Sequence, residues 1–339
     1  MINESDKIIL ADPNKCNIGG HNYLYRKYLS KIDHTEIFDY SIELPQIKKK
    51  PIKAIINRIK YAYSIPSGGF VCLLQLDSIY QIPFIFSHIK KEHKGMIGVL
   101  HWFPTDVKRQ KLLKMTASYF SKIVVHSDYI KQKCIGIGIL NVATIDYPCF
   151  CEIDTSKLVR IKANEEKVFT CLGGSRNDKG LDILRKSFKY IMNKENLKFV
   201  IAGKEVDFSY SQIVDEAKKY NISIKVINKV LSEEEYWNYI VNSDVILLPY
   251  KRIFTGNSGP MTDGVYFNKY ILGPDEGNLN YLIKKYHLGS TFEIENPRSL
   301  ANEIDRVCTV STNISSTYRD KLETSHFIEL YTKLFEDTF

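Results

Sequence analysis

The 339-residue sequence has no C-x-x-C pair among its seven cysteines (16, 72, 134, 149, 151, 171 and 308). An odd, scattered set in a chain of this size argues against a disulfide framework or a zinc ribbon and for reduced thiols. No apolar run approaches the ~18 residues of a membrane-spanning helix. The opening MINESDKIILADPN lacks the basic flank and long apolar core of a signal peptide. Neither G-x-G-x-x-G nor G-x-x-x-x-G-K-[ST] occurs, which argues against a nicotinamide site and a P-loop. No Ser–His–Asp or Cys–His set shows the spacing of a nucleophilic triad. Low-complexity linkers and short repeats are missing too, so the chain reads as globular throughout.

What is present is an alternation of apolar runs with stretches of helical period. In the first half Ile8–Ala11, Thr35–Asp39, Phe70–Leu76, Met96–His101, Ile123–His126 and Ala143–Tyr147 read as strands, with helices expected at His21–Ser30, Ser78–Lys91 and Asp106–Phe120. This is βαβ rhythm, which predicts a parallel sheet covered by helices on both faces. The rhythm restarts at KVFTCLGG, and a Ser232-x-x-Glu235 capping box opens one of the later helices. The boundary falls near 148–162, giving units over 1–150 and 151–316 and a final helical stretch over 317–339.

Charge is divided unevenly between these units. Residues 1–150 hold 21 Lys and Arg against 12 Asp and Glu, whereas the remainder holds 26 against 27. The first half is therefore expected to meet something anionic: a membrane surface, a phosphorylated acceptor or a nucleic acid. Its most basic stretches are QIKKKPIKAIINRIKYAY (46–63) and DVKRQKLLKM (106–115), the second with Val107, Leu112 and Met115 on its apolar side. Each reads as a solvated helix face or as a face for anionic headgroups.

Three strand ends carry candidate chemistry. Gly19 and Gly20 precede a helix, where bare peptide N–H groups favour negative charge, although such a pair also makes a plain turn. In FTCLGGSRNDKGLDIL a strand runs into Gly173-Gly174, and Arg176 and Lys179 follow. They suit either a solvated turn or a diphosphate clamp, Arg by its fork and Lys as a point charge. In PYKRIFTGNSGPMTDG, Ser258 or Gly259 can cap a helix that has Pro260 in its first turn. A cap alone accounts for neither Asn257 nor the loop's length. The alternative places Ser258 and the adjacent N–H groups on a phosphate, with Asp263 accepting from a sugar hydroxyl.

Taken in this order, NIGGH, IVVHSDYIKQKC, CLGGSRNDKGLDIL, SDVILLPYKRIFTGNSGPMTDGVYFNKYIL and GPDEGNLNYLIKKYHLG resemble the GT-B glycosyltransferases, in particular the retaining enzymes of glycosyltransferase family 4. The resemblance implies an α/β GT-B fold, two facing Rossmann-like domains with an interdomain cleft. Residues 1–150 would bind the acceptor, 151–316 a nucleotide-activated sugar, and helix 317–339 would cross back. It further implies a hexosyltransferase-like activity. A UDP- or GDP-sugar would serve as substrate, a glycan or lipid-linked molecule as acceptor, and surface polysaccharide or glycolipid assembly as the setting.

By position, Arg176 and Lys179 would hold the donor diphosphate, with Gly174, Asn257, Ser258 and Gly259 at the same phosphates and Asp263 at the ribose. Gly19 and Gly20 would lie under the diphosphate from the other wall, and His101 would face the transferred sugar. Many members carry two glutamates eight positions apart, whereas here Asp263 takes the second place and Thr255 the first.

No D-x-D triplet occurs, which argues against a metal-chelating GT-A enzyme, and neither a metal nor a cofactor is expected. Arg176, Lys179 and N–H dipoles would meet the charge on the departing diphosphate. A cytoplasmic protein, peripheral on the inner face of the plasma membrane, fits these expectations. Two alternatives stand beside this reading: an inactive GT-B-like subunit, suggested by Thr255, and a nucleic-acid-binding protein using the basic half, for which no reader motif is visible.

Overall fold

A computed structural model of the chain describes residues 7–12, 21–38, 51–76, 93–154, 158, 166–312 and 314–339. The chain divides into two compact units, one of Met1–Phe150 with Glu323–Phe339 and one of Cys151–Leu322.

In the first unit the elements run β1 (Ile8–Ala11), α1 (His21–Leu29), β2 (Thr35–Ile37), α2 (Pro51–Ser64), β3 (Phe70–Leu73), β4 (Gly95–Val99), α3 (Val107–Ala117), β5 (Lys122–Val125), α4 (Asp128–Gly136) and β6 (Val142–Thr144). The strands pair in parallel in the order β2-β1-β3-β4-β5-β6. The strand centres lie where the apolar runs predict them, because β3, β4 and β5 are buried on both faces and read as continuous hydrophobic sequence. One sheet face packs against Tyr61 and Ala62 of α2, Leu113 and Ala117 of α3 and Ile130 of α4. The other packs against Tyr25 and Leu29 of α1 and against residues from the C-terminal helix.

Helix α2 lies within the basic stretch 46–63 and is not among the helices assigned from apolar periodicity. Pro51 opens it, in the first-turn position where a missing N–H costs nothing. Ala54, Asn57, Arg58, Tyr61 and Ala62 then form its buried stripe. The isoleucines break the expected pattern, because Ile52, Ile55 and Ile56 face outward. The expected helix over 78–91 lies outside the described residues.

In the second unit the order is β7 (Lys167–Leu172), α5 (Leu181–Ser187), β8 (Leu197–Ala202), α6 (Tyr210–Lys219), β9 (Ile224–Ile227), α7 (Glu233–Val241), β10 (Val245–Leu247), α8 (Gly259–Tyr266), β11 (Tyr270–Pro274), α9 (Gly277–Lys285), β12 (Gly289–Phe292), α10 (Pro297–Thr309) and α11 (Tyr318–Lys321). The parallel sheet has the order β12-β11-β10-β7-β8-β9. The chain builds outward from β7 to β9, then returns and builds the other way from β10. The reversal opens a switch point between the carboxyl ends of β7 and β10, the position where open α/β sheets bind ligands.

The final stretch is not one helix. Tyr318 of α11 is buried and stacks on Tyr286 with ring centroids 4.1 Å apart, which keeps α11 in the second unit. The helix ends after Lys321, and α12 (Thr324–Thr338) belongs to the first unit, where Phe327, Tyr331 and Phe335 are buried beside α1. All described cysteines are free thiols.

Candidate functional site

The switch point of the second unit is built by two loops. The first leaves β7 through Gly173 and Gly174 and makes a turn of 3-10 helix over Asn177–Lys179 before α5. Gly180, at φ +67°, ends that turn. A Cβ there would lie 1.8 Å from the Pro249 carbonyl oxygen, so only glycine lets this loop press against the second one. The second loop leaves β10 at Leu248 and reaches α8, whose N-cap is Ser258. The Ser258 Oγ accepts from the Met261 N–H, and Pro260 sits in the first turn. Gly264 lets α8 approach the sheet, since a Cβ would meet Ile246 Cγ1 at 2.5 Å.

Lys179 and Ser258 meet through Tyr250. The Lys179 ammonium donates to the Tyr250 hydroxyl at 2.5 Å, and that hydroxyl shares a hydrogen bond of 3.1 Å with Ser258 Oγ. The same ammonium lies 3.9 Å from the Tyr250 ring centroid and 5.0 Å from that of Phe254. Among the described residues no carboxylate forms an ion pair with it. Desolvation, reinforced by the Arg176 guanidinium, draws the Lys179 pKa down to about 7. The cavity beside it, lined by Cys171, Leu181 and Tyr250 among others, measures about 10 Å³, room for about one water. A larger anion therefore has to meet Lys179 from the open side of the loops.

Arg176 stands on the same turn, half-exposed, and forks onto Asp178 with Nε–Oδ1 at 3.0 Å and Nη2–Oδ2 at 2.7 Å. Asp263 is buried one turn into α8, and its Oδ2 accepts from the Tyr236 hydroxyl of α7 at 2.6 Å. Helix α7 is fixed by the expected capping box between Ser232 and Glu235. Asn257 braces the loop through long contacts, with its Oδ1 accepting from Asn278 at 3.3 Å and its amide donating to Thr262 at 3.4 Å. Gly259 supplies the first residue of α8. Thr255 is half-buried in this loop. Arg176, Lys179, Gly174, Asn257, Ser258, Gly259 and Asp263 thus all stand on or beside these two loops. Tyr250, Phe254 and Tyr236 join them without having been singled out from sequence, because an aromatic after an apolar strand reads as core.

His101 is placed in the first unit, just after β4. Its Nε2 contacts the Leu74 carbonyl at 2.9 Å and its Nδ1 contacts His126 Nε2 at 3.0 Å. His126 Nδ1 in turn faces the Ile145 carbonyl at 3.0 Å. Carbonyls only accept, and two neutral rings hold two N–H groups for three contacts, so one ring donates to its carbonyl and one hydrogen serves the His101–His126 contact or the second carbonyl. Desolvation pulls the two pKa values down, to about 4 for His101 and about 3 for His126. Both nitrogens of His101 are thus engaged within its own unit. Gly19 and Gly20 lie outside the described residues, and among the described residues no group of His, Cys, Asp and Glu is arranged to hold a metal ion.

With this geometry in hand, comparisons with known proteins are informative. Residues 153–318 match the family model described as glycosyl transferases group 1. No curated protein matches the chain by sequence. Among solved structures, the sucrose-phosphate synthase of Thermosynechococcus elongatus superposes with a TM-score of 0.71 at 12% identity, covering 98% of this chain and 100% of that one. The Anabaena protein HepE in complex with UDP and glucose gives 0.70 at 10% identity, with coverage of 98% and 100%. The lipopolysaccharide outer core galactosyltransferase WaaB gives 0.67 at 12% identity, covering 98% of each chain. The second unit is therefore similar to the glycosyl transferases group 1 over the matched residues, and the chain has the fold of the GT-B glycosyltransferases.

Proposed function

We propose that the protein transfers a sugar from a nucleotide-sugar donor, a UDP- or GDP-sugar, to a glycan or lipid-linked acceptor in surface polysaccharide or glycolipid assembly. The observation that carries this reading is Lys179, a cation at the switch point whose hydrogen-bond partner is a neutral hydroxyl. A cation held this way lacks a counter-charge that a diphosphate would supply. The group 1 match over the same unit and the UDP and glucose bound to HepE support a sugar nucleotide as the ligand.

In this reading the donor diphosphate lies against Lys179, the Ser258 hydroxyl and the Gly259 N–H that opens α8, and Arg176 exchanges Asp178 for a phosphate oxygen. Negative charge grows on the diphosphate as the glycosidic bond breaks, so these fixed dipoles and cations stabilise the transition state more than the ground state. No metal is needed for that role. The Asp263 carboxylate accepts from a ribose hydroxyl while Tyr236 fixes its Oδ2. His101 contributes by holding the loop after β4 to Leu74.

Thermal shifts against UDP-, GDP-, ADP-, CMP- and TDP-sugars test the reading, since a ligand of the folded state raises Tm by mass action. One donor class is expected to stabilise the protein, to be turned over in the presence of EDTA, and to lose its effect in Lys179→Ala. Stabilisation without turnover on any glycan or lipid acceptor would move the reading to an inactive GT-B-like subunit, as Thr255 suggests. No stabilisation by any of the five would end it.

A further inference from the structure

The two faces of the second unit's sheet are used differently. Side chains alternate along its strands. Phe169, Leu197, Phe199 and Ile224 point to one face, where α5, α6 and α10 cover them. On the other face Val168 and Thr170 of β7, Lys198 and Val200 of β8 and Lys225 of β9 border a groove beside α7. It encloses about 450 Å³, inside the span of roughly 300–1,000 Å³ that small-molecule sites occupy. Lys198 and Lys225 are each the second residue of their strands, so the groove lies toward the amino ends. Lys179 and Ser258 follow the carboxyl ends, and no residue placed on the donor loops lines the groove.

Its polar groups are short of partners. Val200 lies opposite Lys225, and Lys198 stands two residues before Val200. The two lysines are thus diagonal neighbours on one face, with Cα positions about 8 Å apart. Among the described residues neither forms an ion pair, and the Lys225 ammonium lies over the Tyr239 ring at 5.9 Å. Of the carboxylates at the groove, Glu235 is engaged by Lys229 at 2.5 Å and by the Ser232 N–H at 3.0 Å. Glu166 has no ion-pair partner among the described residues. Two cations against one uncommitted carboxylate leave a surplus of one positive charge. On α7 the half-buried Asn238 and Tyr239 accept through their backbone carbonyls from Asn242 and Ser243. The Asn238 carboxamide and the Tyr239 hydroxyl have no hydrogen-bond partner among the described residues.

We infer that this groove binds a saccharide bearing one acidic group. The acid lies between Lys198 and Lys225, the sugar hydroxyls meet Asn238, Tyr239 and Glu166, and a C–H ring face rests on Val168 and Val200. The mixture of groups selects the occupant. A nucleic acid brings many negative charges to a groove with a surplus of one, and it would meet Glu166 and Glu235 as like charges. A neutral sugar would leave both lysines uncompensated. Strand β9 is at the edge of its sheet, but a peptide added there would pair with its backbone and leave the face groove empty. The acid is a uronate carboxylate or a sugar phosphate, which share this chemistry and are separated by the test. The inference does not rest on sugar transfer. Saccharide binding is measured without donor and UDP binding without saccharide, so the two readings fail separately.

The test is a ligand-observed NMR titration of the full chain with three probes. These are cellobiouronic acid, which has one carboxylate, its neutral counterpart cellobiose, and glucose monophosphate. One of the acidic probes is expected to bind at least about tenfold more tightly than cellobiose, the value of a charge-assisted contact. Which one it is names the acid as carboxylate or phosphate. Lys198→Ala with Lys225→Ala should abolish the preference. Asn238→Asp, which sets a like charge beside the acid, should weaken the acidic probe and not cellobiose. Both variants should keep the circular dichroism spectrum, the thermal transition and the UDP affinity of the wild type. Saturating UDP should not displace the bound acid. Equal affinity for acidic and neutral probes, displacement by UDP, a preference that survives in the lysine variant, or no binding of any probe overturns the inference.

Discussion

Each unit places a cation beside the carboxyl end of its first strand, and the two cations are treated differently. Arg26 of α1 reaches Asp12, the residue after β1, at 2.6 Å, with side-chain exposures of 7% and 3%. Lys179, in the turn after β7, has a tyrosine hydroxyl and two ring faces. The first pair is closed: its charge is cancelled inside the fold, and it contributes structure. The second is open: no carboxylate among the described residues forms an ion pair with it, and Asp178 on the same turn acts on it only from further away. In a fold built twice on one plan, the site is where polar groups are left short of partners.

The sharpest way to break this comparison is to remove the closed pair's carboxylate. Asp12→Ala strands a buried guanidinium, and losing one partner of a buried ion pair costs about 3–5 kcal/mol. Urea unfolding should show that loss, while UDP affinity of the folded protein stays close to wild type. An unchanged unfolding midpoint would mean that the two cations do not differ as argued.

Lys179→Met should do the reverse, lowering UDP affinity by about tenfold to a hundredfold in calorimetry, the value of a charge-assisted contact, without loss of stability. The pH dependence has a definite sign. Unfolded, this lysine keeps its proton up to its ordinary 10.5; folded, only to about 7. Between those values the unfolded chain binds more protons, so this residue makes wild-type stability rise with pH across that window. The methionine variant should lack that component. Wild-type UDP affinity should in turn fall above about pH 7, because binding then requires proton uptake. A pH-independent affinity from 6 to 9, roughly the span over which a group of this kind titrates, contradicts the assignment.

The legible part of the molecule is the part written in periodicity. Runs such as KVFTCL and VVH are buried on both faces and admit one structure, and the Ser232 capping box announces its helix by spacing alone. Lys179 and Ser258 were legible as loop residues at strand ends, but not their junction. That depends on Tyr250, whose ring is core-like while its hydroxyl is the bridge. Helix α2 was legible by its charge and not by periodicity, because its isoleucines point to solvent and its buried stripe is Ala, Asn, Arg and Tyr, which inverts the pattern that hydropathy detects. Residues 317–321 appeared continuous with the last helix because nothing local marks Leu322–Glu323 as a break. The stacking of Tyr318 on Tyr286 decides it.

A smaller effect sharpens the comparison at Asp263. Tyr236 donates its hydroxyl hydrogen to Asp263 Oδ2 and acts as a positioning residue. Tyr236→Phe removes one hydrogen bond to a charged acceptor, so UDP affinity should fall about five- to tenfold. Affinity for inorganic pyrophosphate, which has no ribose, should not change. An equal loss for both ligands would mean that the tyrosine supports the loop as a whole and not the carboxylate.

The smallest expected effect is a gain. Arg176 is half-exposed and forked on Asp178, and an ion pair that open to solvent holds its partners by about 0–1 kcal/mol. Asp178→Asn removes the competing charge and frees the fork for phosphate, so UDP binding should tighten about two- to fivefold. A second consequence runs against it: Asp178 raises the pKa of Lys179, and its neutralisation makes that lysine harder to protonate. At pH 6 proton uptake by Lys179 costs least in either protein, and the gain should be largest. At pH 8 proton uptake costs the variant more, and the gain should shrink or vanish. A gain equal at both pH values would show Arg176 acting alone, and no gain at either would remove Arg176 from the site while leaving Lys179 in it.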